Sequence, residues 1–257
     1  MKTFYTLTGA FLISALVTTA SLAQRSFSRW SNYDAITTYR IGTQGVNLGA
    51  LNQALQQAGY NTLPGQLTVL SIASQFSKPN RALALHSELG LSVNSFKAVT
   101  NGTYKAKAGF YYFKVGTSYR ILGSDKFQLA PQLSVLTLPF HVGVKQINNT
   151  SPSLNSILAN PGSAQTATFY TGSVGAEVGL MANLRIPYGR QWQMDCSTME
   201  RSFVIGLDAG YRFATRASLD GNEISSNSPS IQLSGLYAGI RLGFGIRVRS
   251  TKTPITY

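Results

Sequence analysis

Gly235-Leu236-Tyr237-Ala238-Gly239-Ile240-Arg241-Leu242-Gly243-Phe244-Gly245-Ile246-Arg247-Val248 alternates without a break. Successive side chains of an extended strand point to opposite faces. Leu236, Ala238, Ile240, Leu242, Phe244, Ile246 and Val248 therefore share one face, which is apolar from end to end. The other face carries Gly235, Tyr237, Gly239, Arg241, Gly243, Gly245 and Arg247.

Working back along the chain, the same period returns. Phe203, Ile205, Leu207, Ala209, Tyr211 and Phe213 oppose Gly206, Asp208, Gly210 and Arg212. Val174, Ala176, Val178, Leu180, Ala182, Leu184 and Ile186 oppose Ser173, Gly175, Glu177, Gly179 and Arg185. Tyr111, Phe113, Val115, Tyr119 and Ile121 oppose Lys114, Gly116, Ser118 and Arg120. Leu83, Leu85, Leu89, Leu91 and Val93 oppose His86, Glu88, Gly90 and Ser92. In 127–144 the greasy face reads Leu136, Leu138, Phe140, Val142 and Val144, and Pro131 and Pro139 predict a bulge or an altered register there.

A soluble β-sandwich also alternates, but its strands run about five or six residues. These runs last about 12 to 19, and a tilted strand needs about 9 to 11 residues to cross a bilayer. Tyr111, Phe140, Tyr170, Tyr211 and Phe213 lie near the ends of apolar runs, where interfacial aromatic girdles form. The pattern predicts an all-β protein, an antiparallel up-and-down transmembrane β-barrel.

Composition agrees. Charged residues make up only 12% of the 257 residues, about half the share usual in soluble domains, while hydrophobic residues reach 44% with 13 Tyr and 13 Phe. The net charge of +13 comes from bases scattered singly, with no dense run and no zinc-finger or RNP-like spacing, so nucleic acid is not an expected partner. Anionic outer-membrane lipid and lipopolysaccharide suit scattered bases better. With one cysteine, Cys196, and two histidines, His86 and His141, neither a disulfide nor a clustered metal site is expected, and no cofactor is implied.

Residues 1–23 read as a signal peptide: Lys2 is the positive start, an apolar stretch runs from Ala10 through Val17, and Ser21 and Ala23 precede a cut at Gln24. Residues 24–65 form an N-terminal segment, 66–249 the barrel and 250–257 a tail. Seven strands are plain, near 67–77, 82–96, 103–121, 127–144, 166–187, 201–217 and 230–248. Single-chain bacterial barrels usually have an even number, and Ala35–Thr43 is the best candidate for the eighth strand. Between it and the next, Leu48, Leu51 and Leu55 recur at helical spacing over 46–58, with Gly59 as a stop. That short amphipathic helix lies on the membrane surface, caps the barrel or plugs its mouth. Lys78-Pro79-Asn80 and Gly123-Ser124-Asp125-Lys126 predict tight turns. The stretches 146–165 and 221–229 predict longer loops on the opposite, extracellular side, and Gly189–Glu200 is long for a periplasmic turn. Asn101-Gly102-Thr103 and Asn148-Asn149-Thr150 read as ordinary loop sequence.

The inward face gathers the mid-strand charge: Glu88, Lys114, Arg120, Glu177, Asp208, Arg212 and Arg241. Eight strands leave little luminal room beyond side chains, and buried charges must pair. These seven residues predict a luminal salt-bridge and hydrogen-bond network that fills the barrel, with a narrow polar pore or a small ligand cavity as the alternatives. No catalytic residues are expected: there is no Gly-x-Ser-x-Gly elbow, and His86 and Ser87 fall on opposite faces.

The signal peptide, the long two-period strands, the glycine and aromatic content and the terminal Tyr257 together resemble the outer-membrane β-barrel proteins of Gram-negative bacteria. The segment Leu51-Asn52-Gln53-Ala54-Leu55 with Gly59-Tyr60 looks like small uncharacterised barrels of the Bacteroidota. The resemblance implies residence in the outer membrane and insertion by the barrel-assembly machinery. Pro254 interrupts the end, so the insertion signal is either displaced to Phe244 or followed by a short extension. The expected role is structural or surface-interacting, with a possible protein partner at the extracellular loops. A small porin for small solutes is the alternative, and a lipid-modifying enzyme stands behind both.

Overall fold

The computed structural model describes residues 32–79, 81–93, 99–101, 104–146, 166–194, 197–218 and 230–250. The signal peptide, the loops 147–165 and 219–229, Cys196 and the segment 251–257 with Pro254 and Tyr257 lie outside the described residues.

Eight long strands run in sequence: β1 (Tyr33–Gly45), β2 (Gln66–Ser77), β3 (Leu83–Ser92), β4 (Tyr104–Tyr119), β5 (Phe127–Gln146), β6 (Thr166–Pro187), β7 (Ser197–Ala214) and β8 (Gly235–Ser250). Each pairs antiparallel with the next, and β8 returns to β1 over a ladder from Tyr33↔Val248 to Gln44↔Tyr237. Closure leaves no long strand with an open edge. Every long strand is laddered to a neighbour on both sides, which is what the interior of a bilayer demands. The weakly alternating 35–43 stretch is thus β1, the strand that closes the barrel.

The outer wall is apolar around the circumference. Ile41, Ile72, Leu89, Val115, Val135, Val178, Leu207 and Leu242, one from each strand, are all exposed on it. Aromatic residues flank this belt: Tyr111, Tyr170, Tyr211 and Phe213 toward one end, and Phe76, Tyr119, Phe127, Tyr188 and Trp192 toward the other. Inside, Arg40, Glu88, Lys114, Glu177, Asp208, Arg212 and Arg241 are buried. An apolar exterior around a charged interior is the reverse of a soluble barrel and the outer-membrane type of architecture. No described helix is long and apolar enough to cross a membrane; the strands cross it.

The two ends differ. Residues 78–82, 120–126 and 188–196 join strands at the end where β1 starts and β8 finishes. The connection 188–196 is long because it carries its own ladder, Trp192–Met194 against Ser197–Met199. At the other end the chain spends 46–65, 93–103, 147–165 and 215–234 between strands. By the usual asymmetry, short turns face the periplasm and long loops face outward.

The first long connection carries the helix α1 (Gly49–Gln57). It stops in a Schellman motif: Gly59 takes a positive φ of 79°, its N–H donates to Gln56 O and the Tyr60 N–H to Leu55 O. Asn52 then ties the helix to the returning chain, donating to Leu63 O at 3.0 Å and accepting from Leu63 N at 2.8 Å. The helix caps the barrel mouth. Its Leu51 and Leu55 pack with Leu48, Leu63, Leu67, Ile231 and Leu233 on the inner wall of the loop half of the barrel.

That plug explains a departure in β5. Leu136, Leu138, Phe140 and Val142 face the lumen at 4% exposure or less, while Leu133 and Val135 face outward. The residues expected to meet lipid instead meet α1, so Phe140 is no girdle residue. The prolines also leave the register intact: Phe127↔Leu184 through Lys145↔Thr166 runs in phase past both. Toward β4 the ladder ends at Ser118↔Gln132, before Pro131. It is interrupted between Phe110↔Phe140 and Phe113↔Thr137, beside Pro139. Proline lacks the N–H that those rungs would use, so a rung is lost without a bulge.

Candidate functional site in the barrel lumen

Each of the eight strands sends at least one polar side chain into a single layer near mid-barrel. Lys114 Nζ lies 2.8 Å from Glu88 and 2.6 Å from Glu177, bridging β3 and β6 from β4. Arg212 of β7 donates to Glu177 at 2.9 Å, and Arg241 of β8 reaches Glu88 at 3.2 Å. Asp208 of β7 accepts from Arg40 of β1 at 2.9 Å. Ser71 of β2 donates to Glu88 at 2.7 Å, and Gln132 of β5 donates to the Tyr237 hydroxyl at 2.8 Å. Tyr112 donates a short hydrogen bond to Glu88, and its ring lies under Arg212 with the guanidinium carbon 4.5 Å from the centroid. Tyr237 sits between Arg40 and Lys114, 5.5 and 5.8 Å from its centroid.

Glycine makes room for these large groups. A β-carbon on Gly90 would overlap the Tyr112 ring, and one on Gly179 would overlap the Tyr237 hydroxyl. The inward glycines of the alternating pattern are therefore the complement of the inward tyrosines and arginines.

Of the seven charges read from the sequence, Glu88, Lys114, Glu177, Asp208, Arg212 and Arg241 meet in this layer. Arg120 does not join them. It lies past the last residue of β4, half-buried, with its guanidinium 3.4 Å from the carbonyls of Pro79 and Arg81. Parity put it on the inward face, and its position along the strand put it at the mouth. Arg40 completes the layer in its place. Sequence reading passed over it because Ile36 and Thr38 precede it on the same inward face and blur the alternation of β1.

Below the layer, His86 Nε2 and Ser134 Oγ pair at 2.8 Å. His86 is 8% exposed, and Ser87 lies on the outward face of the same strand. A cavity of about 10 Å³ beside them, lined by Gln75, His86, Asn183 and Arg241, has the volume of a single water. At the turn end a second set of ion pairs forms. Asp34, which no motif singled out, binds Arg185 at 2.5 Å and Arg247 at 3.3 Å. Asp125, in the β4–β5 turn, accepts from Arg247 at 2.8 Å and Arg249 at 2.6 Å. Burial alone would raise the Asp125 carboxyl, but the two arginines hold it below its ordinary value. No group of His, Cys, Asp and Glu among the described residues could hold a metal ion.

From loop end to turn end the lumen is thus occupied three times over, by the α1 plug, by the mid-barrel charges and by the Asp34 cluster. No protein-family model matches the chain, and no curated protein matches it. Among solved structures it is similar to the outer membrane protease OmpT from Escherichia coli, at 9% identity over 86% of this chain and 97% of that one, with a TM-score of 0.40. It is also similar to Ail, the attachment invasion locus protein of Yersinia pestis, at 12% identity over 84% and 99% with a TM-score of 0.39. Neisserial surface protein A matches at 12% identity over 84% and 96%, with a TM-score of 0.33. At scores this low the fold rests on the strand pairing itself, and the site on its own side chains.

Proposed function

We propose that this protein is an outer-membrane barrel with a closed lumen, a membrane-anchored scaffold that presents its long-loop end for a structural or surface-interaction role. The observation that supports this reading is the mid-barrel layer. Glu88, Glu177, Asp208 and Lys114 each have side-chain exposures of 1% or less, and side chains from all eight strands converge on the axis. An aqueous channel needs a continuous water-filled path; an eight-strand barrel whose large inward residues are mutually bonded has none. The belt sits in outer-membrane lipid and lipopolysaccharide, and insertion falls to the barrel-assembly machinery.

Single-channel recording in planar bilayers tests the reading. A flat trace at applied voltages up to the limit of the bilayer is expected. Sustained unitary steps, narrowed or widened by substitutions at Lys114 or Arg241, would replace it with a small porin.

A further inference from the structure

At the turn end, between the β2–β3 and β4–β5 connections and the inner wall, a small polar cleft opens to solvent. Arg81, Arg120, Arg185 and Arg247 line it, with Asp34 as the one carboxylate among them, and Ser124 and Gln128 add neutral polar groups. Asp34 is shared by Arg185 and Arg247, and Arg247 turns a second nitrogen to Asp125. Arg120 has only backbone carbonyls at 3.4 Å, near the limit of a hydrogen bond. Arg81 is exposed and makes no ion pair among the described residues. The wall therefore carries several guanidinium forks with donors to spare and too few carboxylates to meet them.

Two further features separate this cleft from a merely basic rim. Arg185 and Arg247 are 6% exposed, held in place by the Asp34 bridge, so their orientation is fixed before any ligand arrives. Arg81 and Arg120 come from two different turns and line the same opening. Several planar forks lining one opening match the tetrahedral oxygens of a phosphate better than a single carboxylate, which one fork already saturates.

We propose that the turn-end mouth binds a phosphate group, held by Arg81 and Arg120 together with the Asp34-oriented Arg185 and Arg247. That phosphate comes either from a soluble phosphate ester or from a phospholipid headgroup of the adjacent leaflet. The site does not depend on what the long-loop end does.

The test titrates inorganic phosphate into the full chain in a maltoside detergent, followed by calorimetry. One saturable site is expected. The double variant R81Q/R120Q removes two cations that hold no acidic partner, so the fold is retained, and binding weakens by about tenfold or more. A control at the same end but outside the cleft, R201Q, leaves the constant unchanged. Absence of saturable binding, an unaltered constant in R81Q/R120Q, or an equal loss in R201Q each overturns the site. Repeating the titration in nanodiscs distinguishes the sources. A site open in maltoside micelles but lost in phospholipid discs takes a lipid headgroup, and one open in both takes a soluble ester.

Discussion

Lys114 and Glu177 meet 2.6 Å apart across the lumen from strands that are not neighbours, β4 and β6. Ladder hydrogen bonds hold each strand to the next, but this contact reaches past β5, and Glu88 at 2.8 Å extends the tie to β3. Replacing Lys114 with Met would leave two buried carboxylates facing one another with one cation fewer. Breaking one partner of a buried charge set costs about 3–5 kcal/mol. K114M is therefore expected to lower the unfolding free energy of the detergent-refolded barrel, read from urea titration, by about that amount. A loss under about 1 kcal/mol in K114M would mean that the layer adds little to stability.

Leu207 lies well inside β7 and is 59% exposed on the outer wall, whereas Leu122, just beyond β4, is 60% exposed at the turn end. Equal exposure with unequal depth makes these two a test of the membrane belt. Arginine on the lipid face costs about 2–4 kcal/mol at the bilayer midplane and about 0–1 near the interface. L207R should unfold at markedly lower denaturant in lipid vesicles, and L122R should behave almost as the parent. Similar midpoints for both would argue that Leu207 does not face acyl chains.

Leu51 is 4% exposed under α1, within the apolar cluster that seals the loop half. Leu51→Ala should cost about 2–5 kcal/mol through the cavity that it leaves. It should leave bilayer recordings flat, because the charged layer beneath still blocks the axis. Channel openings in L51A would show that the plug alone closes the barrel and that the charged layer leaks.

The Asp125 carboxyl is depressed by Arg249 and Arg247, so its sign is that of a stabilised carboxylate. The contribution is fully present above the ordinary carboxylate range near pH ~3.9 and is lost as pH falls through the lower folded-state value. Its side chain is 72% exposed, so solvent screens the pair and the effect is small. Melting temperatures of the parent and Asp125→Asn should differ slightly at neutral pH and converge below about pH 4. A gap that widens on acidification would reverse this assignment.

Much of the lumen was legible before folding because parity is strict in a strand. A polar residue between outward Leu and Val must point inward, which placed Glu88, Glu177, Asp208 and Arg241 without any knowledge of partners. Position along the axis was not legible in the same way. Arg120 shares the parity of Lys114 yet lies at the mouth, because depth depends on where each strand begins relative to its neighbours. Asp34 stayed hidden for a related reason: its value comes from Arg185 and Arg247, more than 150 residues away in sequence.

The sequence by itself determined that this chain makes long two-faced strands, that their greasy face suits lipid, and that a helix ending at Gly59 interrupts the first pair. Those are local properties, set by the two-residue period of extended backbone and by the freedom of glycine at positive φ. Only the tertiary structure decided that Leu136, Leu138, Phe140 and Val142 turn inward. A strand carries no label saying which of its faces is the lumen when both can be apolar, and the answer came from where α1 docks. The register of closure, Tyr33↔Val248, was likewise a property of all eight strands together. It fixes which charges share a level on the axis, and so decides that the lumen is filled.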